Sequence, residues 1–327
     1  MPQAIWHTSK TQTIVKEEPL SDLSEGFCSV KSLFSLISSG TERLVATGKV
    51  PAELYTKMEV PYMQGRFPFP VKYGYSLVGE VASPDHPWYG RLVHLMHPHQ
   101  GHVLAKATDM TLLPDDLPAR RATLASNLET AVNAVWDAKV SVGDRVLVVG
   151  FGMIGALVSR LLSWIPAVEL LVAEQNPKRR ELARRMGFDP LSTPQAGYFD
   201  QAFHTSSSAA GLQTCIDAVG MEGTVVELSW FGNQAVQLQL GGGFHYQRKK
   251  IISSQVSHIP GDRQQRWDYR RRKEVVLQLL QNAAFDEHIT DEIALQDAPT
   301  FFDQLRNGTA DGLGYCINYN SEKIPKK

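Results

Sequence analysis

Cysteine is scarce in this chain: there are three, Cys28, Cys215 and Cys316, set far apart. An odd, dispersed trio builds neither a disulfide framework nor a cysteine-rich metal site, and it fits a reduced, cytoplasmic compartment. Neither sign of charge is in surplus, with 33 Lys+Arg against 34 Asp+Glu. That excludes a global field drawing in nucleic acid or an anionic membrane surface. No apolar run is long enough to span a bilayer, and Met1–His7 does not read as a secretion signal. Internal repeats and low-complexity segments are also missing. What is left is a chain of 327 residues, enough for two ordinary domains that each bury a core.

The most informative stretch runs from Arg145 to Gly155. An apolar, β-branched run, Val146-Leu147-Val148-Val149, ends at Gly150 and leads into residues of helical spacing, Ala156 to Leu162. Strand, glycine turn and helix form the context in which G-x-G-x-x-G carries meaning. Gly150 permits the tight turn, Gly152 lets a pyrophosphate approach the backbone, and Gly155 lets helix and strand pack closely. The intervening Met153 and Ile154 open the helix, whose unpaired N–H groups and positive dipole end suit an anion. A second apolar run, Val168 to Ala173, stops at Glu174, 19 residues beyond Gly155. A carboxylate there accepts hydrogen bonds from the adenosine ribose. The plainer alternative is a βαβ unit whose glycines serve packing alone. Glycines, flanking elements and acid together favour dinucleotide binding.

Residues 1–127 read as β-rich, with short alternating segments such as Gly26 to Leu33 and Ser76 to Val81. Pro51, Pro61, Pro68, Pro70, Pro84, Pro87 and Pro98 punctuate that region. From Leu128 onward helices and strands alternate. Helices are expected over Glu129 to Lys139, Pro177 to Met186 and Ala209 to Ala218, and strands over Phe199 to His204, Thr224 to Ser229, Val236 to Leu240 and Lys250 to Gln255. Helices over Arg270 to Asn282 and Ala298 to Arg306 and a strand over Gly314 to Tyr319 follow, and Glu322 to Lys327 reads as a solvated tail. The domains are therefore drawn at 1–127, 128–260 and 261–327.

This order, β-rich then dinucleotide-binding then a helical return, resembles the medium-chain dehydrogenase/reductase superfamily over nearly the whole chain. Ser39-Gly40-Thr41-Glu42, Lys72 to Ser76, Leu95 to Gln100, Asn127 to Ala131 and Glu227 to Trp230 look like its subgroup containing bacteriochlorophyllide dehydrogenase. The resemblance implies an α/β fold, a Rossmann domain beside a GroES-like catalytic domain completed by the C-terminal segment. It also implies an active site in the cleft between the domains, with Thr130 near the cofactor. Zinc members of the superfamily supply a cysteine, a histidine after a glycine, and a third ligand ahead of a Thr-bearing helix. Here those places hold Ser39, Tyr75 and Ser126. Hydroxyls are poor zinc ligands at neutral pH, so no zinc is expected.

Without a Lewis acid, side chains must move the proton. Tyr75 stands in the lost histidine-ligand position; the alternative is an aromatic ring filling the emptied metal pocket. His97 aligns with a pocket-lining position of the superfamily, and imidazole exchanges protons near pH 7; the alternative is a hydrogen-bonded loop residue. His94, His97, His99 and His102 lie close in sequence, but alternate strand residues point opposite ways and they do not read as one cluster. Glu42, with Ser39 and Thr41, is placed to orient a substrate hydroxyl, unless Glu42 pairs with a neighbour such as Arg43.

Lys178, Arg179 and Arg180 follow Glu174 and read as a solvated helix face, because a carboxylate at the ribose repels a 2′-phosphate. NAD(H) is therefore favoured over NADP(H). In the basic stretch from Arg263 to Lys273, Arg266, Arg270 and Arg271 are candidates for an anionic group on a small-molecule substrate. The expected activity is zinc-independent hydride transfer between nicotinamide and a secondary alcohol or ketone. Alternatives are an enoyl or quinone reductase and a non-catalytic dinucleotide-binding redox sensor. A homodimer is expected, paired through a sheet edge at Val236 to Leu240.

Overall fold

The Arg145–Val149 strand lies between two parallel neighbours, Glu169–Ala173 and Phe199–His204. Val146, Leu147 and Val148 are fully buried, as a parallel strand covered on both faces requires. Each such side chain contributes about 1.5–3 kcal/mol of burial. The structure, a computed structural model, describes residues 1–320. The expected tail over Glu322 to Lys327 lies outside the described residues.

Six parallel strands form this sheet: Arg145–Val149, Glu169–Ala173, Pro190–Leu191, Phe199–His204, Val219–Glu227 and Lys250–Ser253. Counted in chain order, they lie in the sequence 3-2-1-4-5-6 across the sheet. That is the doubly wound Rossmann order, with its reversal between the first and fourth strands. Local chemistry sets the helix ends. Asn176 caps Pro177–Arg185 by accepting from the N–H groups of Lys178 and Arg179, with Pro177 at the first helical position. Ser208 caps Ala209–Ala218 by accepting from Gly211 N–H.

This unit comprises Asn127–Val276 together with Asp311–Leu313. Its boundary thus falls beyond the expected residue 260. Trp267 packs on Trp136 with ring centroids 4.6 Å apart, and Arg263 lies 4.9 Å over Trp136. Buried Arg272 donates to Glu129 and to Asn133 Oδ1, at 3.3 and 2.8 Å. Those contacts hold the 263–273 stretch to the Ala125–Ala138 helix.

One expected strand is absent. Val236 to Leu240 forms no strand and pairs in no sheet among the described residues. Val236 and Leu238 pack on the core around Leu147, Phe199 and Leu212, while Gln239 N–H donates to Gln213 Oε1. Its alternation reflects one covered face, not strand pairing. One edge of the sheet is Lys250–Ser253, a shorter strand than expected, and the other is Pro190–Leu191.

The other unit holds Met1–Ser126, Leu277–Ala310 and Gly314 onward. A seven-stranded sheet runs Ile289–Ala294, Gly314–Asn318, Phe27–Ile37, Leu77–Val81, Leu92–Leu95, Met110–Leu112, with His102–Lys106 also paired to Phe27–Ile37. A four-stranded sheet of Gln12–Glu17, Gln3–Ser9, Val71–Lys72 and Gln64–Gly65 accompanies it. The C-terminal segment supplies two of these strands and the Ala298–Asn307 helix, whose Phe301, Phe302 and Leu305 bury against Ile5, Ile37 and Ala46. So residues from Leu277 on, apart from Asp311–Leu313, belong to the β-rich unit. Among the described residues no helix is long and apolar enough to cross a membrane, and all three cysteines are buried and unbridged.

Candidate functional site

In the sheet unit, the glycine turn has the shape that the motif requires. Gly150 has φ +100°, and a Cβ there would sit 2.8 Å from Ser206 N and Cα. No other residue fits without displacing backbone. Gly152 is the N-cap of Met153–Leu162 and provides no side-chain cap, so the first N–H groups of that helix lack an internal acceptor. Thr205, unnoticed in the sequence, braces the turn by donating its hydroxyl to Gly150 O at 2.7 Å.

Glu174 ends the Glu169–Ala173 strand, is buried, and accepts from Phe151 N–H at 2.6 Å and Asn176 N–H at 2.7 Å. It therefore also fastens the turn, a role the sequence did not show. A carboxylate has about four acceptor sites, so two remain for ribose hydroxyls. The basic residues beyond it make specific contacts, while Lys178 stays exposed as expected of a helix face. Lys178 Nζ pairs with Asp311 at 2.7 Å, Arg180 donates to Glu174 O at 3.0 Å, and Arg179 Nη1 lies 3.8 Å from a Cβ built on Gly152. Thr130 is half-buried on Ala125–Ala138. Arg266, Arg270 and Arg271 are all exposed, and Arg271 also stacks 4.0 Å over Trp267 and donates to Arg266 O.

In the β-rich unit, Ser39, Thr41 and Glu42 share the short helix Ser39–Ala46. Glu42 is fully buried and does not pair with Arg43, which is exposed. Its Oε1 accepts from Ser38 N–H at 2.8 Å, and its Oε2 lies 2.8 Å from His99 Nε2. His99, also fully buried, reaches Ser35 Oγ through Nδ1 at 2.7 Å, and Ser35 Oγ is 2.7 Å from Tyr319 Oη. Gly74 makes room for this: a Cβ there would lie 2.9 Å from the His99 ring.

Tyr75 follows Gly74. Burial of its hydroxyl pushes the pKa up to about 12, against hydrogen bonds to Ser38 and Thr41, with Glu42 adding to the rise. Tyr75, Thr41, Ser38, Glu42 and His99 thus come together, and the phenol stays protonated at neutral pH. His99 was missed as a functional residue because its partner is 57 residues away in sequence.

His97 does not join them. Its ring stacks on Tyr62 with centroids 5.0 Å apart, and its Nδ1 is 2.8 Å from Pro98 O. Burial lowers its pKa to about 3, with Lys72 and His99 adding to the fall against the Pro98 bond. A ring held neutral over that range does not exchange protons near pH 7, which corrects the expectation for His97. The four histidines part company as anticipated: His94 faces Ser76 Oγ and His102 faces Ser29 Oγ.

Ser39, Tyr75 and Ser126, where the resemblance would put zinc ligands, carry hydroxyls, and Ser126 donates its own to Tyr75 O at 2.9 Å. Among the described residues no group of three or more His, Cys, Asp or Glu side chains is placed to hold a metal ion. This donor set does not fit zinc.

No family model matches the chain. It is similar to the L-idonate 5-dehydrogenase (NAD(P)(+)) of Escherichia coli, 25% identical over 169 residues, covering 48% of this chain and 49% of that protein. It also resembles the (R,R)-butanediol dehydrogenase of Bacillus subtilis, 28% identical over 200 residues, 57% of this chain and 54% of the relative. A third, from Escherichia coli, is described as an uncharacterized zinc-type alcohol dehydrogenase-like protein, 26% identical over 175 residues, 49% of each chain. These matches span about half the length of the curated relatives. The crystal structure of the Bacillus subtilis 2R,3R-butanediol dehydrogenase superposes with a TM-score of 0.77 at 18% identity, over 98% of this chain and all of that one. That likeness establishes the two-domain α/β fold, Rossmann plus GroES-like.

Proposed function

We propose that the chain is an oxidoreductase exchanging a hydride between a nicotinamide dinucleotide and a small secondary alcohol or ketone, without zinc. The observation carrying this reading is a formed dinucleotide turn together with a half-buried, protonated phenol, Tyr75, in the place the resemblance gives to a metal ligand. The relatives' names, idonate and butanediol dehydrogenases, support the alcohol–ketone class. When bound, the nicotinamide supplies the hydride. Gly150, Gly152 and the opening N–H groups at Met153, Ile154 and Gly155 hold the pyrophosphate, and Glu174 takes the adenosine ribose.

Tyr75 donates its proton to the developing alkoxide, and Ser38 and Thr41 orient its hydroxyl. With a pKa near 12 it works as an acid throughout the neutral range. Glu42, anchored by His99, fixes the Ser38–Thr41 helix start from behind. Zinc analysis of protein dialysed without chelator tests the metal-free part of this reading. Under one tenth of a zinc per chain is the expected result on the order-of-magnitude scale of adventitious binding; stoichiometric zinc lost together with activity contradicts it.

Cofactor choice follows from Glu174. NADH is expected to bind more tightly than NADPH by about tenfold or more, since the carboxylate repels a 2′-phosphate. Fluorescence titration checks this. Equal affinities would mean that Arg179, the cation beside Gly152, answers the phosphate.

Assembly is proposed as a C₂ homodimer paired through Lys250–Ser253, an open edge of the sheet and a hazard if left bare. Light scattering is expected to give twice the 36.3 kDa chain mass. A monomer mass at micromolar concentration contradicts this.

A further inference from the structure

Charges of both signs meet just past Glu174, and their balance sets what the adenosine end of the site accepts. The Pro177–Arg185 helix begins there with Lys178 and Arg179 in its first turn. Cations so placed beside a ribose site attract a 2′-phosphate, against the repulsion of a carboxylate such as Glu174. The fold brings a further charge to this place. Asp311–Leu313 belongs to the sheet unit although the chain on either side of it does not. Asp311 Oδ2 accepts from Lys178 Nζ at 2.7 Å, and its Oδ1 accepts from Asn176 Nδ2 at 3.3 Å. The Lys178 hydrogen bond, then the Asn176 bond, hold the Asp311 carboxyl below the usual carboxylate range, and the charges of Lys178 and Arg179 add to the fall. Asp311 is therefore an anion at neutral pH.

The other attractions at this helix start are already engaged. Asn176 Oδ1 accepts from the N–H groups of Lys178 and Arg179, and Arg180 donates to Glu174 O. Arg179 has a buried Nε without a hydrogen-bond partner, but its Nη1 lies at the glycine turn, 3.8 Å from a Cβ built on Gly152. Lys178 is different. Its side chain is 74% exposed, and its charge is held in place by Asp311.

Resting on the dinucleotide reading above, we propose that Asp311 is a specificity-determining residue. By holding Lys178 it withholds that cation from a 2′-phosphate, and so reinforces Glu174 against NADPH from a segment more than a hundred residues away in the chain.

Asp311→Asn keeps the shape of the side chain and releases Lys178. It is expected to tighten NADPH about three- to fivefold, the scale of one exposed charge pair, and to leave NADH unchanged. Adenosine 2′,5′-bisphosphate should gain by the same factor over 5′-AMP, since the two differ by that phosphate alone. Lys178→Met by itself should leave the NADPH-to-NADH affinity ratio unchanged, because its charge is already taken. In that background Asp311→Asn should then gain nothing. Fluorescence titration of the full chain reads the two cofactors, and calorimetry reads the two fragments. Equal shifts for NADH and NADPH in Asp311→Asn would show a structural role and overturn the proposal. An unchanged ratio would overturn it too, as would a full gain that persists without Lys178. If the unaltered chain binds neither NADH nor NADPH, the dinucleotide reading itself falls.

Discussion

Replacing Tyr75 with phenylalanine is expected to lower turnover roughly a hundredfold or more while NADH affinity stays unchanged. The substitution keeps the ring that meets Tyr73 edge-on at 6.0 Å and removes only the hydroxyl. The loss is therefore chemical, not a packing defect. Three groups face that hydroxyl: Ser38, Thr41 and the Glu42 carboxylate. Because the phenol ionises only near pH 12, the reductive rate should show no fall from Tyr75 ionisation between pH 6 and 10. His97→Gln, by contrast, removes a neutral ring stacked on Tyr62 and should leave turnover within about threefold, since no proton transfer is lost. Steady-state kinetics on both variants separates the assignments. Near-normal turnover in Tyr75→Phe would remove the phenol from the mechanism.

A steep loss of stability between pH 6.5 and 4.5 is the second large effect expected. His7 and His97, both buried in the β-rich unit, are lowered to about 3 chiefly by burial. Arg306 and His99 add to the fall at His7, which lies 2.9 Å from Thr13 Oγ1. In the unfolded chain each ionises near pH 6.5. Protons then bind the unfolded state preferentially as pH falls from 6.5 toward 3, so stability is full above 6.5 and drains below it. At pH 4.5 the cost is about 3 kcal/mol for each ring, a large part of the typical 5–15 kcal/mol of a domain. Urea melts at pH 7.5 and 4.5 measure it. The His97→Gln variant should show a shallower pH dependence; a pH-independent midpoint in the unaltered chain would contradict the burial of neutral rings.

The parts of the molecule legible in sequence are those whose partners are near in the chain. Gly150 to Gly155 and Glu174 sit within one βαβ unit, and their strand–turn–helix pattern is local. Glu42, Ser39 and Thr41 were legible as a group because they share one helical turn. His99 was not, since only the fold brings it 57 residues back to Glu42, through the space Gly74 leaves open. Val236 to Leu240 misled because alternation reports one covered face, which a segment lying on a core shares with a strand. The 261–276 stretch was assigned to the wrong unit because Trp267 and Arg272 owe their placement to Trp136, Glu129 and Asn133, far upstream.

The central claim is hydride transfer without zinc, and a single-turnover experiment tests it most directly. Chain dialysed against chelator would be mixed with NADH deuterated at the nicotinamide C4, across a panel of ketones, aldehydes and enones. Absorbance would be followed at about 340 nm, where the reduced ring absorbs and the oxidised ring does not. The account predicts NADH consumption with at least one secondary ketone, deuterium on the carbinol carbon of the product, and a rate unaffected by the chelator. Consumption that disappears on chelation and returns with added zinc would contradict it, as would a chain that binds NADH yet transfers deuterium to none of the panel.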